Sequence, residues 1–379
     1  MTIKGFATSE GTERYRARFE GKSTGGLPIA EGHFRDAVQG LHLTSLGMGT
    51  YLGGADDQTS RQMADAAVRS VSSGAINVLD TAVNYRYQLS ERSLAAALKM
   101  LIGQGFQRDE IFVCSKNGFL TPDAGCPDVD FRTWFREHYI DSGMIAPGEI
   151  AGGMHCMAPA YLADQLDRSR ANLGLETLDL MYLHNAAESQ MPEVGRATFM
   201  ERLRQAFVFY EQARADGKIR YYGMATWSCF RQDPNDPDSN NEYLSLETVM
   251  HLAGQVGGPE HGFRFIQLPF NLAFSEALTL PNQPLDGEMV SLLEAAMALG
   301  VGVFTSVPLL QGQLLNQPLP KFEGMKTPAQ ECLQFVRSNP GVLAPMVGHK
   351  KPEHVEENIQ VAAVPPLMLA EFEEMLTSS

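Results

Sequence analysis

The chain has 379 residues, 44% of them apolar, enough for a large core, and α/β barrels reach this length as one unit. A formal net charge of −15 argues against nucleic acid or an anionic membrane as partner, so a site for an anionic ligand must be a local basic pocket. Five scattered cysteines (Cys114, Cys126, Cys156, Cys229, Cys332) suggest no disulfide framework and fit a reducing compartment. No apolar run approaches the roughly 18 residues of a membrane-spanning helix. The start, Met1-Thr2-Ile3-Lys4-Gly5, lacks the apolar region of a secretory signal, so a cytoplasmic location is expected.

Residues 1–40 are polar and Gly-rich, with charges at Glu13, Arg14, Arg16, Arg18 and Glu20; they read as an N-terminal extension with weak structure of its own. Residues 41–379 read as a single domain. Its first strand is expected over 41–51, where Gly47-Met48-Gly49-Thr50 allows close backbone approach to a ligand. A helix over 59–73 follows, then an apolar strand that ends in Asp80, with Tyr85 on the loop beyond it. Ser90 is placed to cap the next helix, whose Leu94, Ala97, Leu98 and Leu101 have helical spacing. The next strand closes on Lys116. A helix over 159–173 stops at Gly174, and the strand after it closes on His184.

The second half keeps the rhythm. Helices are expected over 200–215, 243–253, 287–299, 328–338 and 352–361, and strands over 219–225, 263–268, 301–305 and 342–347. Strands that alternate with helices imply a parallel sheet, and eight such units imply a closed (β/α)8 TIM barrel. The main irregularity is 121–157, a long Gly/Pro-rich insertion after the third strand, with Phe131, Trp134, Phe135 and Tyr139. It reads as a long loop over the active site and a candidate substrate lid. Its aromatics fit a substrate pocket or a satellite hydrophobic cluster equally well. Its Cys126, His138, His155 and Cys156 match no common metal-ligand spacing, so no metal is expected.

In a parallel barrel the strand C-termini converge on one face, so Asp80, Lys116 and His184 should meet there with Tyr85. An ammonium beside a phenol favours phenolate and makes the phenol a usable acid or base. Asp80 can supply the counter-charge for a buried Lys116, and His184 can orient a carbonyl oxygen. The set suits protonation of a carbonyl oxygen while a hydride reaches its carbon. The hydride must come from a cofactor.

These residues resemble the aldo-keto reductase superfamily. Leu79-Asp80-Thr81-Ala82-Val83-Asn84-Tyr85, followed by Leu89-Ser90-Glu91, is similar to that family's first signature, and Lys116 and His184 match the rest of its tetrad. The likeness covers roughly 41–365, with the N-terminal extension and the long 121–157 loop outside it. It implies Tyr85 as general acid, Lys116 as the group that lowers its pKa, Asp80 as the lysine's partner and His184 as the residue that positions substrate. It also implies cofactor contacts. Gly49-Thr50-Tyr51, with Asp80, resembles the loop at the nicotinamide ribose. Gln267-Leu268-Pro269-Phe270-Asn271 resembles the segment whose Gln267 and Asn271 hold the carboxamide. Thr226 offers the hydroxyl after the fifth strand, where Ala225 replaces a usual serine. Ser306-Val307-Pro308-Leu309-Leu310-Gln311-Gly312 resembles the pyrophosphate-side loop, with Pro308, Leu309 and Gln311 in contact, although Ser306 replaces a frequent aromatic. Gly348, Lys350, His354, Glu357 and Asn358 fall in the segment for the adenosine 2′-phosphate and adenine, which favours NADP and leaves NAD open.

The implied function is hydride transfer between NADPH and the carbonyl of an aldehyde, ketone or sugar, with a small-molecule substrate and neither nucleic acid nor membrane as partner; the family is often monomeric, although oligomers occur, and the sequence does not decide the oligomeric state. The other reading is a nucleotide-binding sensor or regulatory subunit on the same fold.

Overall fold

The computed structural model of the chain describes residues 2–23, 26–126, 128–236 and 242–378. Eight parallel strands close a barrel: β1 Gly47–Gly49, β2 Val78–Asp80, β3 Phe112–Asn117, β4 Leu178–His184, β5 Ile219–Ala225, β6 Phe263–Pro269, β7 Gly302–Ser306 and β8 Val342–Gly348. Strands pair in chain order, and β8 returns to β1, with Met346 opposite Gly47 and Gly348 opposite Gly49. Both faces of each strand are covered, so β3 and β4 are buried at every position. One core lies inside the barrel, from Val78, Phe112, Tyr182, Phe265 and Phe304. The other lies between strands and helices. Gly223 in β5 is required by packing: a Cβ there would sit 1.9 Å from the Phe265 carbonyl oxygen.

The extension is more ordered than its composition suggests. Helix α1, Ser9–Phe19, buries Tyr15 and Phe19 one turn apart, and the Tyr15 hydroxyl donates to the carbonyls of Val71 (2.7 Å) and Ile76 (3.0 Å). Its charges are not all solvated, since Arg14 and Arg18 reach the buried Glu110 at 3.2 and 2.7 Å. Two apolar side chains are too few for a periodicity signal, but they fall on one helix face. The expected first strand is divided. Residues His42–Thr44 pair antiparallel with Phe34–Asp36, and Leu41 and Leu43 join the barrel's inner core, which leaves only Gly47–Gly49 in the barrel.

The outer helices are α2 Asp57–Ser72, α3 Leu89–Gly103, α4 Pro159–Leu173, α5 Ala186–Ala215, α6 Leu246–Gly257, α7 Leu292–Ala298, α8 Pro328–Ser338 and α9 Pro352–Ile359. Helix α4 ends as expected at Gly174, in left-handed conformation with φ 65°. Ser90 does not cap α3. Gln88 stands at the cap, and the Ser90 hydroxyl donates to the Thr50 carbonyl at 2.8 Å. Helix α5 starts fourteen residues before the expected 200 and breaks at Gly195 (φ 76°). A hairpin, Gln283–Leu285 with Glu288–Val290, takes the first part of the expected helix over 287–299.

The 121–157 segment holds short helical turns over Phe131–Phe135 and Arg136–Asp141, then a small hairpin, Ile150–Ala151 with His155–Cys156. Phe135 and Tyr139 bury against Ile145, Cys156 and Tyr161 of α4 as a satellite core. Among the described residues of 121–157, none lines the large cavity at the strand C-termini.

Candidate active site

That cavity has a volume of about 640 Å³, within the range of small-molecule sites. Asp80 lines its floor, and the buried Lys116 behind it donates through Nζ to Asp80 Oδ2 at 2.5 Å and to the Thr81 carbonyl at 2.9 Å. The other Asp80 oxygen accepts from Gln267 Nε2 at 3.1 Å. The ammonium lies 4.8 Å from the centre of the Tyr85 ring. The Tyr85 and His184 rings meet edge to face at 5.8 Å. Tyr51 also meets the Tyr85 ring edge to face at 5.0 Å, and Phe119 meets His184 in the same way at 5.0 Å. Asp80, Lys116 and His184 from the strand C-termini therefore converge with Tyr85 from the loop after β2.

The Tyr85 turn is held by unusual backbone. Arg86, Tyr87 and Gln88 have φ values of 50°, 54° and 75°, a left-handed region that side chains other than glycine visit rarely. The buried Arg86 stabilises it. Its guanidinium donates to the Gly54 carbonyl (2.7 Å), the Ser60 hydroxyl (2.8 Å) and the Asp56 carbonyl (3.2 Å), which ties the Tyr85 turn to the loop after β1.

Burial sets the protonation states. It pushes the Tyr85 phenol up, and Lys116 offsets this only in part, so the net direction is opposite to the lowering expected from the lysine alone. The phenol thus holds its proton at neutral pH. Burial disfavours the Lys116 ammonium, but Asp80 and Tyr85 more than compensate and raise it. Burial raises the Asp80 carboxyl against the pull of Lys116. Burial, then Lys116 and His155, hold His184 well below its ordinary value, so its ring is neutral.

Most of the expected cofactor positions line the cavity: Gly49, Thr50, Tyr51, Asp80, Thr226, Gln267, Pro308, Leu309, Gln311, Gly348, Lys350 and His354. Three do not. Asn271 is buried, and its amide donates to the Val307 carbonyl at 2.9 Å and accepts from the Ala273 and Phe274 N–H groups, so it shapes the turn and the loop after β7. Asn358 lies behind the cavity wall, 3.4 Å from His349 Nδ1, and it is His349 that lines the cavity. Glu357 lies one turn beyond the lining, where its carbonyl accepts from Gln330. Asn84, Phe119, Trp227, Ser306 and Lys351 also line the cavity. Trp227 directly follows Thr226, and Lys351 follows Lys350, so both were within reach of the sequence motifs. Phe119 is positioned by the fold alone.

The far end of the cavity is basic. Lys350, Lys351 and His354 stand at the first turn of α9, whose free N–H groups also favour an anion. Lys350 lies along the loop after β1: a Cβ on Gly53 would come 3.6 Å from its Cε.

The Aldo/keto reductase family model matches residues 45–232. A protein of Schizosaccharomyces pombe, provisionally described as a voltage-gated potassium channel subunit beta, is 24% identical over 79% of this chain and 80% of its own. Among solved structures, an aldo/keto reductase of Klebsiella pneumoniae in complex with NADP and acetate superposes with a TM-score of 0.58 at 20% identity, over 92% of this chain and 95% of that one. The glycerol dehydrogenase of Gluconobacter oxydans superposes with 0.59 at 17% identity, over 92% and 95%. The match places residues 45–232 in the Aldo/keto reductase family, and the barrel as a whole has the fold of the solved aldo-keto reductases.

Proposed function

We propose that the chain is an NADP-dependent oxidoreductase that reduces the carbonyl of an aldehyde, ketone or sugar, or runs the reverse oxidation. The observation that carries this is the buried Lys116, paired with Asp80 behind a cavity that Asp80, Tyr85 and His184 line and whose other end is basic. The Klebsiella complex with NADP supports the cofactor.

When bound, the nicotinamide supplies the hydride. The chain's own residues do the rest. Lys350, Lys351 and His354 hold the phosphates, and Gln267 and Thr226 orient the nicotinamide end. The neutral His184 ring fixes the carbonyl oxygen against Tyr85. Tyr85 transfers its phenolic proton to that oxygen as the carbon is reduced, and the resulting phenolate is stabilised by Lys116, itself held by Asp80. Tyr51, Phe119 and Trp227 exclude water around the reacting carbon.

Following NADPH oxidation against aldehydes, ketones and aldoses, with Tyr85→Phe alongside, tests the reading. Turnover should fall about 10²–10⁴-fold in the variant. Equal turnover in both would move the acid elsewhere. The second reading, a nucleotide-binding regulatory subunit, draws on the description of the S. pombe relative; NADPH binding with no turnover across the panel in either direction would favour it. We propose a cytoplasmic location, checked by cell fractionation, and a monomer, checked by light scattering of the purified chain. Among the described residues no helix is long and apolar enough to cross a membrane.

A further inference from the structure

The insertion after β3 reaches the proposed active site by a route other than a lid. His155, on its small hairpin, is fully buried. Its Nε2 lies 2.8 Å from the backbone carbonyl oxygen of His184. Its Nδ1 faces Gln190 Nε2 at 3.0 Å, and Gln190 Oε1 is held by Arg202 Nη1 at 2.6 Å. A guanidinium only donates, so Gln190 must accept through its oxygen and donate through its nitrogen. His155 Nδ1 is therefore the acceptor, its Nε2 carries the hydrogen, and the ring donates to His184. Arg202 in turn holds the Gly148 carbonyl of the insertion at 2.7 Å.

Two further features show that this contact is built in. The ring passes so close to the backbone of residue 118 that a Cβ there would lie 2.5 Å from His155 Nε2; Gly118, with φ 122°, leaves the room. Phe119 stands edge-on to both histidines, at 5.1 Å from His155 and 5.0 Å from His184. Burial lowers His155 to about 4, which keeps the ring neutral and its one acceptor available.

We propose that His155 is a positioning residue: its hydrogen bond to the His184 carbonyl, set by Gln190 and Arg202, fixes where the His184 ring and Phe119 stand against Tyr85. This rests on the carbonyl-reductase reading above. An error of about 1 Å in such a position can cost on the order of a hundredfold in rate. His155 does not itself line the cavity and meets it only through His184 and Phe119, away from the basic end, so cofactor affinity should not depend on it.

The test uses steady-state kinetics with the best carbonyl substrate, NADPH binding by fluorescence, and thermal melts on the full chain. His155→Leu should lower kcat about tenfold and leave the NADPH Kd within about twofold. His155→Gln, whose amide nitrogen reaches nearly as far as the imidazole Nε2, should recover kcat to within about threefold of wild type. Should His155→Leu fail to fold, Gln190→Met, which removes the donor to Nδ1, should still lower kcat at least threefold at constant NADPH Kd. A folded His155→Leu or Gln190→Met with wild-type kcat overturns the proposal, as does an equal loss in His155→Leu and His155→Gln. Absence of turnover in wild type fails the parent reading instead, and the inference with it.

Discussion

Lys116 and Asp80 meet at 2.5 Å with side chains 1% and 5% exposed, so neither charge has water to fall back on. Removing one partner leaves the other buried and unpaired, at about 3–5 kcal/mol. Asp80→Asn should lower the midpoint of urea unfolding accordingly and reduce kcat at least tenfold, because Lys116 would lose the charge that keeps it protonated. An Asp80→Asn protein with wild-type stability and rate would contradict the pairing.

Lys350 is the cavity cation held against the loop after β1. Lys350→Ala should weaken NADPH at least tenfold and leave NADH nearly unchanged, because one phosphate separates the two. Titration by fluorescence gives both constants. An unaltered NADPH-to-NADH ratio would assign the 2′-phosphate to other residues.

Stability should decline in mild acid. His155 and His349 are fully buried and lowered to about 4, against about 6.5 unfolded. The unfolded chain therefore binds protons that the folded one does not as pH falls below about 6.5. Each contributes stability that is complete above that value and fades as pH falls toward 4. Between pH 7.5 and 5 the loss is about 2 kcal/mol per histidine. Burial holds His33 and His184 in the same direction. Urea midpoints at the two pH values measure the sum; equal midpoints would mean that these rings charge inside the fold.

Tyr15 shows whether the N-terminal helix is integral to the barrel. It is fully buried, packs tilted against Phe19 with ring centroids 4.9 Å apart, and bonds to two carbonyls around the turn before β2. Tyr15→Ala should cost about 3–5 kcal/mol, as for other large aromatics deleted from a core. A loss under about 1 kcal/mol would make α1 an appendage.

Much of the barrel was legible in the chain because its strands are apolar runs closed by single polar residues, and runs buried on both faces read clearly. Strand β5 and helices α4 and α8 fall where the periodicity placed them, and Asp80, Lys116 and His184 stand at strand ends because each interrupts such a run. Other features depend on contacts distant in sequence. Helix α1 is defined by what Tyr15 and Phe19 touch, not by a pattern of their own. Asn271 and Asn358 match the motif positions, yet their amides are taken up by backbone and by His349. The phenol of Tyr85 is raised because burial outweighs a lysine that the sequence could only place nearby. The alternation of strand and helix and the residue types at the strand ends are local properties of the chain and can be read along it. Which side chains face the cavity, which are neutral, and that His155 from the insertion holds the backbone of His184 depend on contacts between distant segments, because burial and hydrogen-bond partnership are settled only when those segments meet.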